Sequence, residues 1–283
     1  MTTKLNEQPV VSIVTVCYNE QHTIRNVMDS VLAQTYTNFE YIIQDGDSTD
    51  ETKTIISSYQ EKFRQAGIPL YVYSEKDQGI YDAMNKAVTH CNGLWINFMN
   101  ADDRFANPNV LDAIFCNRAY DQVSLLYGDA VELEFGEAYL FTKCPERIEE
   151  RMPFSHQSVF VRKELLLKYP FNLQYRIGAD YDFLLTLYQK GACFEDVGLN
   201  VCIISKDGLS SVNLYDTFVE SVNIRKEHGI QQYSDTVYQK KLRALKIKQF
   251  GMDHFPIFLK KYIRKVQRIL RGQNHKMQER IKE

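Results

Sequence analysis

With 283 residues and 44% apolar side chains, the chain is long enough to bury the core of one large domain, or of one domain with an appendage. Six cysteines, at 17, 91, 116, 144, 193 and 202, are scattered without a C-x-x-C pair. That points to reduced, buried thiols in a cytoplasmic protein rather than to a disulfide frame or zinc site. The net charge is only −2, yet fourteen Lys or Arg against two acids fall between Lys240 and Lys282, so that segment carries +12 and the remainder −14. An acidic body with a basic tail points to an anionic surface meeting the tail.

The apolar run Val10–Tyr18 is rich in β-branched residues, is interrupted by Ser12 and Thr15, and lacks a small-residue cleavage site. It reads as a strand over 10–16 rather than as a signal peptide. No apolar stretch approaches the roughly 20 residues of a membrane-spanning helix.

A helix follows, with Ile24, Val27, Met28, Val31 and Leu32 on one stripe. Phe39–Ile43 is the second strand. Ser48 and Glu51 then form a capping-box pair before a helix that turns Ile55, Ile56, Tyr59 and Phe63 inward. Leu70–Tyr73 is the third strand, Ile80–Val88 a further helix, and 95–99 the central strand. Strand and helix in alternation predict a parallel, doubly wound α/β sheet.

Past Asp103 the pattern becomes mixed. A helix near Asn109–Arg118 and a strand at Leu125–Tyr127 precede short strands and turns. Helices from Lys163 and near Tyr181–Lys190 follow, then strands at 193–197 and 201–205. From Leu214 onward the reading is all helix, broken at Gly229 and Gly251.

The stretch Gly93–Asp103 organises the chemistry. An aromatic-rich strand runs straight into Asn100, Asp102 and Asp103. Adjacent carboxylates there repel unless a cation or solvent offsets them, and the carboxyl edge of an open α/β sheet is where ligands bind. Asp45 ends the second strand and can accept from a ring N–H or a ribose hydroxyl, or simply shape a turn. Gly79 frees the backbone before a helix on which Asn85 and Lys86 can reach a phosphate or ribose. Asp180 suits either a helix N-cap or a carboxylate presented to a cleft. His156 and Gln157 precede an apolar strand. No G-x-G-x-x-G follows the first strand, where Cys17-Tyr18-Asn19-Glu20 stands, so a dinucleotide site is not expected. The same gap argues against a nucleotidyltransferase, which wants a phosphate-gripping, Gly-rich basic loop there.

Six segments occur in one order: Ser12 to Glu20 (SIVTVCYNE), Ile43 to Asp50 (IQDGDSTD), Asp77 to Lys86 (DQGIYDAMNK), Phe98 to Asp103 (FMNADD), Phe154 to Phe160 (FSHQSVF) and Ala179 to Phe183 (ADYDF). In that order and spacing the chain resembles the inverting family 2 glycosyltransferases of bacterial polysaccharide assembly. The resemblance implies a GT-A nucleotide-sugar-binding fold over 8–210, with a nucleotide half at 8–103, an acceptor half at 104–210 and a helical, basic extension at 211–283. It further implies transfer from a nucleotide sugar, a UDP-sugar, to a glycan or lipid-linked acceptor. Thr15 and Asp45 would hold the base. Glu20, Gly79, Asn85, Lys86 and Asp102 would join them in donor binding. Asp103 would ligate Mn2+ or Mg2+, Asp180 would be the catalytic base, and His156 and Gln157 would meet the acceptor or sugar. The chain departs from the family pattern in three places. Asn100 stands at the first acidic position of D-x-D, Gly46-Asp47 inverts the usual order, and Ala179 replaces a Glu, leaving Asp182 as a second candidate base. Asn100 also keeps open a degenerate, transferase-like scaffold or membrane-associated binding protein.

In the tail, Phe255, Phe258, Leu259, Tyr262, Ile263, Val266, Ile269 and Leu270 make an apolar stripe opposite Lys260, Lys261, Arg264, Lys265, Arg268 and Arg271. A basic amphipathic helix over 255–271 suits the anionic, cytoplasmic face of a membrane. The alternatives are packing on the catalytic domain or on a second copy in a homodimer. Nucleic acid is not expected, because the aromatics lie on the apolar stripe rather than among the charges.

Overall fold

The computed structural model describes residues 9–134, 137–141, 143–205, 213–230, 233–256, 259 and 262. The first half alternates β1 (Val11–Cys17), α1 (Ile24–Leu32), β2 (Phe39–Asp45), α2 (Thr52–Ala66), β3 (Leu70–Ser74), α3 (Ile80–His90) and β4 (Trp95–Phe98). The second half runs β5 (Arg104–Phe105), α4 (Val110–Phe115), β6 (Leu125–Glu134), β7 (Glu137–Phe141), β8 (Val159–Arg162), α5 (Lys163–Lys168), α6 (Ala179–Gln189) and β9 (Phe194–Ser205). Helices α7 (Leu214–Glu227) and α8 (Asp235–His254) follow.

All nine strands join one sheet in the order β3-β2-β1-β4-β8-β6-β9-β5, with β7 paired to β6. The first four are mutually parallel, as the alternation predicts. Every residue of β1 and β2 is buried, which fits their near-continuous apolar runs, because helices cover both faces. One face packs against α1, α2 and α4, the other against α3, α5 and α6. Strand β8 then enters antiparallel to both β4 and β6, and the sheet is mixed beyond it. This mixed sheet flanked by helices is the arrangement that the resemblance implies.

Four local expectations change. Ser48 and Glu51 do not form a capping box: the Ser48 hydroxyl donates to Asp45, and Asp50 Oδ1 accepts the Thr52 N–H at 3.0 Å instead. The strands expected at 193–197 and 201–205 are one strand, β9, with Gly198 at φ +70° inside it. The helix expected at 109–118 is shorter and stops at Phe115. Gly251 lies within α8 and breaks nothing, whereas Gly229, at φ +69°, does end the α7 region. Most of the expected 255–271 helix lies outside the described residues. No described helix is long and apolar enough to cross a membrane.

Two polar ties, one half-buried and one buried, hold the first half to its surroundings. Asn85 on α3 donates to Phe171 O and accepts the Phe171 N–H, each at 2.9 Å, so it pairs with one backbone residue as a strand would. Glu40 on β2 is 2% exposed and accepts from Ser12 Oγ at 2.6 Å, Asn92 Nδ2 at 3.0 Å, Gly93 N at 3.2 Å and the Asn92 backbone N–H. Removing that carboxylate takes the acceptor from the buried Ser12 hydroxyl, while the Gly93 N–H keeps Ser12 Oγ at 2.9 Å. Glu40→Ala is expected to lose roughly 1 to 3 kcal/mol of stability, read as a lower urea midpoint at unchanged m-value.

Candidate active site

Strand β4 ends at Phe98, and Met99 still donates its N–H to Val14 O at 2.9 Å. The chain then leaves the sheet through Asn100–Asp103, a turn closed by Asp103 N–H on Asn100 O at 3.1 Å. Because β8 is antiparallel to β4, the residues that precede β8 arrive beside this turn. They form a short 3-10 turn, His156–Ser158, fixed from below by Asn97. The Asn97 side chain is fully buried, and its Nδ2 donates to Gln157 O and Val159 O, each at 2.9 Å.

From that turn two neighbouring side chains reach two different carboxylates. Gln157 Nε2 donates to Asp103 Oδ2 at 2.7 Å, while Ser205 N–H donates to Asp103 Oδ1 at 3.2 Å. His156 Nδ1 lies 3.3 Å from Asp180 Oδ2, and His156 Nε2 lies 3.0 Å from Asn100 Nδ2. Asp180, in the first turn of α6, also accepts the Tyr181 N–H at 2.8 Å. Tyr81 Oη sits 3.1 Å from Asp180 Oδ1 and 2.6 Å from Ile177 O. The structure thus gathers Asn100, Asp103, His156, Gln157 and Asp180, all singled out from the sequence. Asn97 and Tyr81 were not. Tyr81 lies within the polar Asp77–Lys86 segment, which was its only signal.

The electrostatics follow from burial. Asp103 is only 2% exposed, and loss of hydration, then the charge of adjacent Asp102, push its carboxyl up to about 7 against bonds from Gln157 and Ser205 and the His156 charge. Burial alone would depress the His156 imidazole. The Asp180 hydrogen bond and the charges of Asp180, Asp103 and Asp102 outweigh it and raise it. Tyr81, held well above the usual phenol range by burial and by Asp180, remains a donor.

Asn100 suits the imidazole as an acid would not. With neutral His156 its amide N–H donates to Nε2, which leaves the Nδ1 proton for Asp180. Turned over, the same amide offers Oδ1 to an imidazolium. As placed, Oδ1 is buried without a hydrogen-bond partner.

The donor-side residues sit further along the same sheet edge, and several are committed to the fold. Thr15, fully buried, donates to Met99 O at 2.7 Å and shares a hydrogen bond with Tyr41 Oη at 2.8 Å, so it ties strands rather than facing a cleft. Asp45, also fully buried, accepts from Ser74 Oγ at 2.6 Å, Ser48 N at 3.1 Å and the Ser48 hydroxyl, which orders the Gly46–Ser48 turn. Glu20 accepts from Thr23 Oγ1 at 2.5 Å. Gly79, at φ +127°, caps α3 through its carbonyl. Lys86 donates to Lys76 O at 2.7 Å and pairs with Asp82 at 3.2 Å, while Asn85 is the Phe171 tie rather than a phosphate ligand. Asp182, the second candidate base, pairs with His228 at 2.7 Å.

Residues 12–169 match the family model described as glycosyl transferase family 2. The chain belongs to glycosyl transferase family 2. A PGL/p-HBAD biosynthesis glycosyltransferase of Mycobacterium tuberculosis is 31% identical over 233 residues, covering 79% of this chain and 88% of that protein. Among solved structures, Staphylococcus aureus TarS 1-349 in complex with UDP-GlcNAc superposes with a TM-score of 0.61 at 16% identity, over 86% of this chain and 72% of that one. The mannosyltransferase PcManGT of Pyrobaculum calidifontis, in complex with GDP-Man and Mn2+, has a TM-score of 0.61 at 18% identity, over 84% and 69%. Their likeness supports the fold. Among the described residues of this family 2 chain, no three His, Cys, Asp or Glu side chains are grouped as a metal cage.

The raised Asp103 carboxyl has a consequence for stability. Its native value of about 7 exceeds its ordinary 3.8, so the native state holds the proton more tightly than the unfolded chain. In protein kept metal-free with EDTA, this group therefore costs stability as pH rises from about 4 to about 7 and no more above that. Asp103→Asn lacks the cost, so the melting temperature of the variant minus that of wild type should climb between pH 4 and pH 8. A difference that stays flat across that range would show a carboxyl that is not destabilised by burial.

Proposed function

We propose that this glycosyltransferase moves a sugar, with inversion, from a UDP-sugar to a glycan or lipid-linked glycan acceptor in surface polysaccharide synthesis. The observation that carries the reading is the Asp180 carboxylate, aimed by Tyr81, the Tyr181 N–H and His156, and joined through the His156–Gln157 turn to Asp103. A single poised base suits one displacement. The acceptor hydroxyl gives its proton to Asp180 as its oxygen bonds to the anomeric carbon. The bond from that carbon to the diphosphate oxygen breaks, and the electron pair leaves with the nucleoside diphosphate. His156 stabilises the Asp180 carboxylate before the proton arrives. Asp45 orders the turn at the nucleoside end.

A divalent ion, Mn2+ or Mg2+, fits the donor chemistry: Asn100 Oδ1, buried and without a partner, and the Asp102 and Asp103 carboxylates are all hard oxygen ligands. When bound it would neutralise charge on the departing diphosphate. A UDP-sugar donor is supported by the TarS complex with UDP-GlcNAc, and a biosynthetic role by the name of the mycobacterial relative. Docking of the basic tail on an anionic membrane is supported by the charge of 240–282 and by the exposed Ile247, Phe250 and Tyr262.

Asp180→Asn should lower kcat by roughly 10²- to 10⁴-fold while calorimetric affinity for UDP stays near that of wild type. Transfer at the wild-type rate would remove Asp180 as base. Asp103→Ala should abolish Mn2+-stimulated donor hydrolysis, and hydrolysis that is indifferent to both Mn2+ and this change would exclude the metal site. With an α-linked donor, proton NMR of the product should report a β linkage.

A further inference from the structure

The family match ends at residue 169, yet Asp180 and the helix packed over it both lie beyond that point. Helix α7 sends Glu220 back onto the loop that leads into α6. Its carboxylate accepts three consecutive backbone N–H groups: Arg176 at 3.0 Å, Ile177 at 2.9 Å and Gly178 at 2.9 Å. Three charge-assisted bonds from one segment fix both its position and its orientation. The packing is equally close. A Cβ added to Gly178 would lie 2.8 Å from Ile224 Cδ1, and Ile224 is fully buried. One turn further on, His228 at the end of α7 holds Asp182 at 2.7 Å and Gln189 at 2.9 Å.

This clamp reaches the chemistry through one residue. Ile177, whose N–H is held by Glu220, offers its carbonyl to the Tyr81 hydroxyl, and the same hydroxyl lies 3.1 Å from Asp180 Oδ1. Loop, phenol and carboxylate therefore move together. A cavity of about 610 Å³ lies between Gln174–Tyr175 and α7, with Glu220 in its lining.

We infer that Glu220 is a positioning residue for Asp180, so that helix α7, outside the family core, sets the geometry of proton removal. The inference rests on the reading of Asp180 as the base. Without Glu220, three N–H groups lose their acceptor, the 176–178 segment loosens, and Tyr81 no longer holds Asp180 in register with the acceptor hydroxyl.

The test uses the full chain in four forms besides wild type: Glu220→Ala, Glu220→Asp, Asp180→Asn and the double variant Glu220→Ala/Asp180→Asn. Glu220→Ala should lower kcat roughly tenfold to a hundredfold with the donor KM within about twofold. Amide hydrogen exchange at Arg176–Gly178 should quicken, and Glu220→Asp should recover part of the rate. In the Asp180→Asn background the alanine change should cost less than about twofold, because its effect runs through Asp180. Should the alanine variant not fold, Glu220→Gln carries the same comparison. Wild-type kcat in a variant with quickened exchange, or an equal loss in both backgrounds, overturns the positioning role alone. Wild-type kcat in Asp180→Asn overturns the base assignment and this inference with it.

Discussion

One turn of three residues carries the site. His156 and Gln157 are adjacent, yet each reaches a different acid, Asp180 on one side and Asp103 on the other. Their backbone is pinned by Asn97, a fully buried amide that spends both N–H bonds on carbonyls of that turn and of β8. Those two bonds fix the turn at one height above the sheet, while Asn97 Oδ1 stays buried without a hydrogen-bond partner. The separation of the two carboxylates is thereby set by a rigid element rather than by flexible loops.

The same turn solves an electrostatic problem. Asp102, Asp103 and Asp180 place three acids close together near the carboxyl edge of β4, where burial weakens solvent screening. The response appears at both ends: Asp103 holds its proton to about 7, and His156 is drawn toward its cationic form. A fourth acid at position 100 would add to the repulsion. Asn100 instead supplies a neutral oxygen and an N–H, and one of its amide orientations suits each charge state of His156.

The repeating local patterns were legible in the chain. Stripes such as Ile24, Val27, Met28 and Val31 gave the helices, and apolar runs gave the parallel strands, because each pattern reports burial of a single element. The clustering of Asp103, His156, Gln157 and Asp180 was legible as well, through motif order. What stayed hidden depends on partners far away in sequence. Nothing around Tyr81 announces that its hydroxyl meets Ile177 and Asp180, and nothing around Glu220 announces three amides at 176–178. Ser48 was misleading for a related reason: it matches a capping box, but buried Asp45, three residues earlier, is the better partner for its hydroxyl. Thr15 was implied as a base contact by the resemblance alone, and only the folded sheet brings Met99 O and Tyr41 to it.

The reversal of direction at β8 has a wider effect. In an all-parallel sheet only strand exits decorate the working rim, so each strand contributes residues from one side of itself. An opposed neighbour places an entrance on that rim beside the exit of β4. Side chains that come before one strand and after another then share a floor, although 56 positions separate Asn100 from His156. Insertions within the intervening stretch can therefore remodel what approaches from outside and leave the shared floor in place.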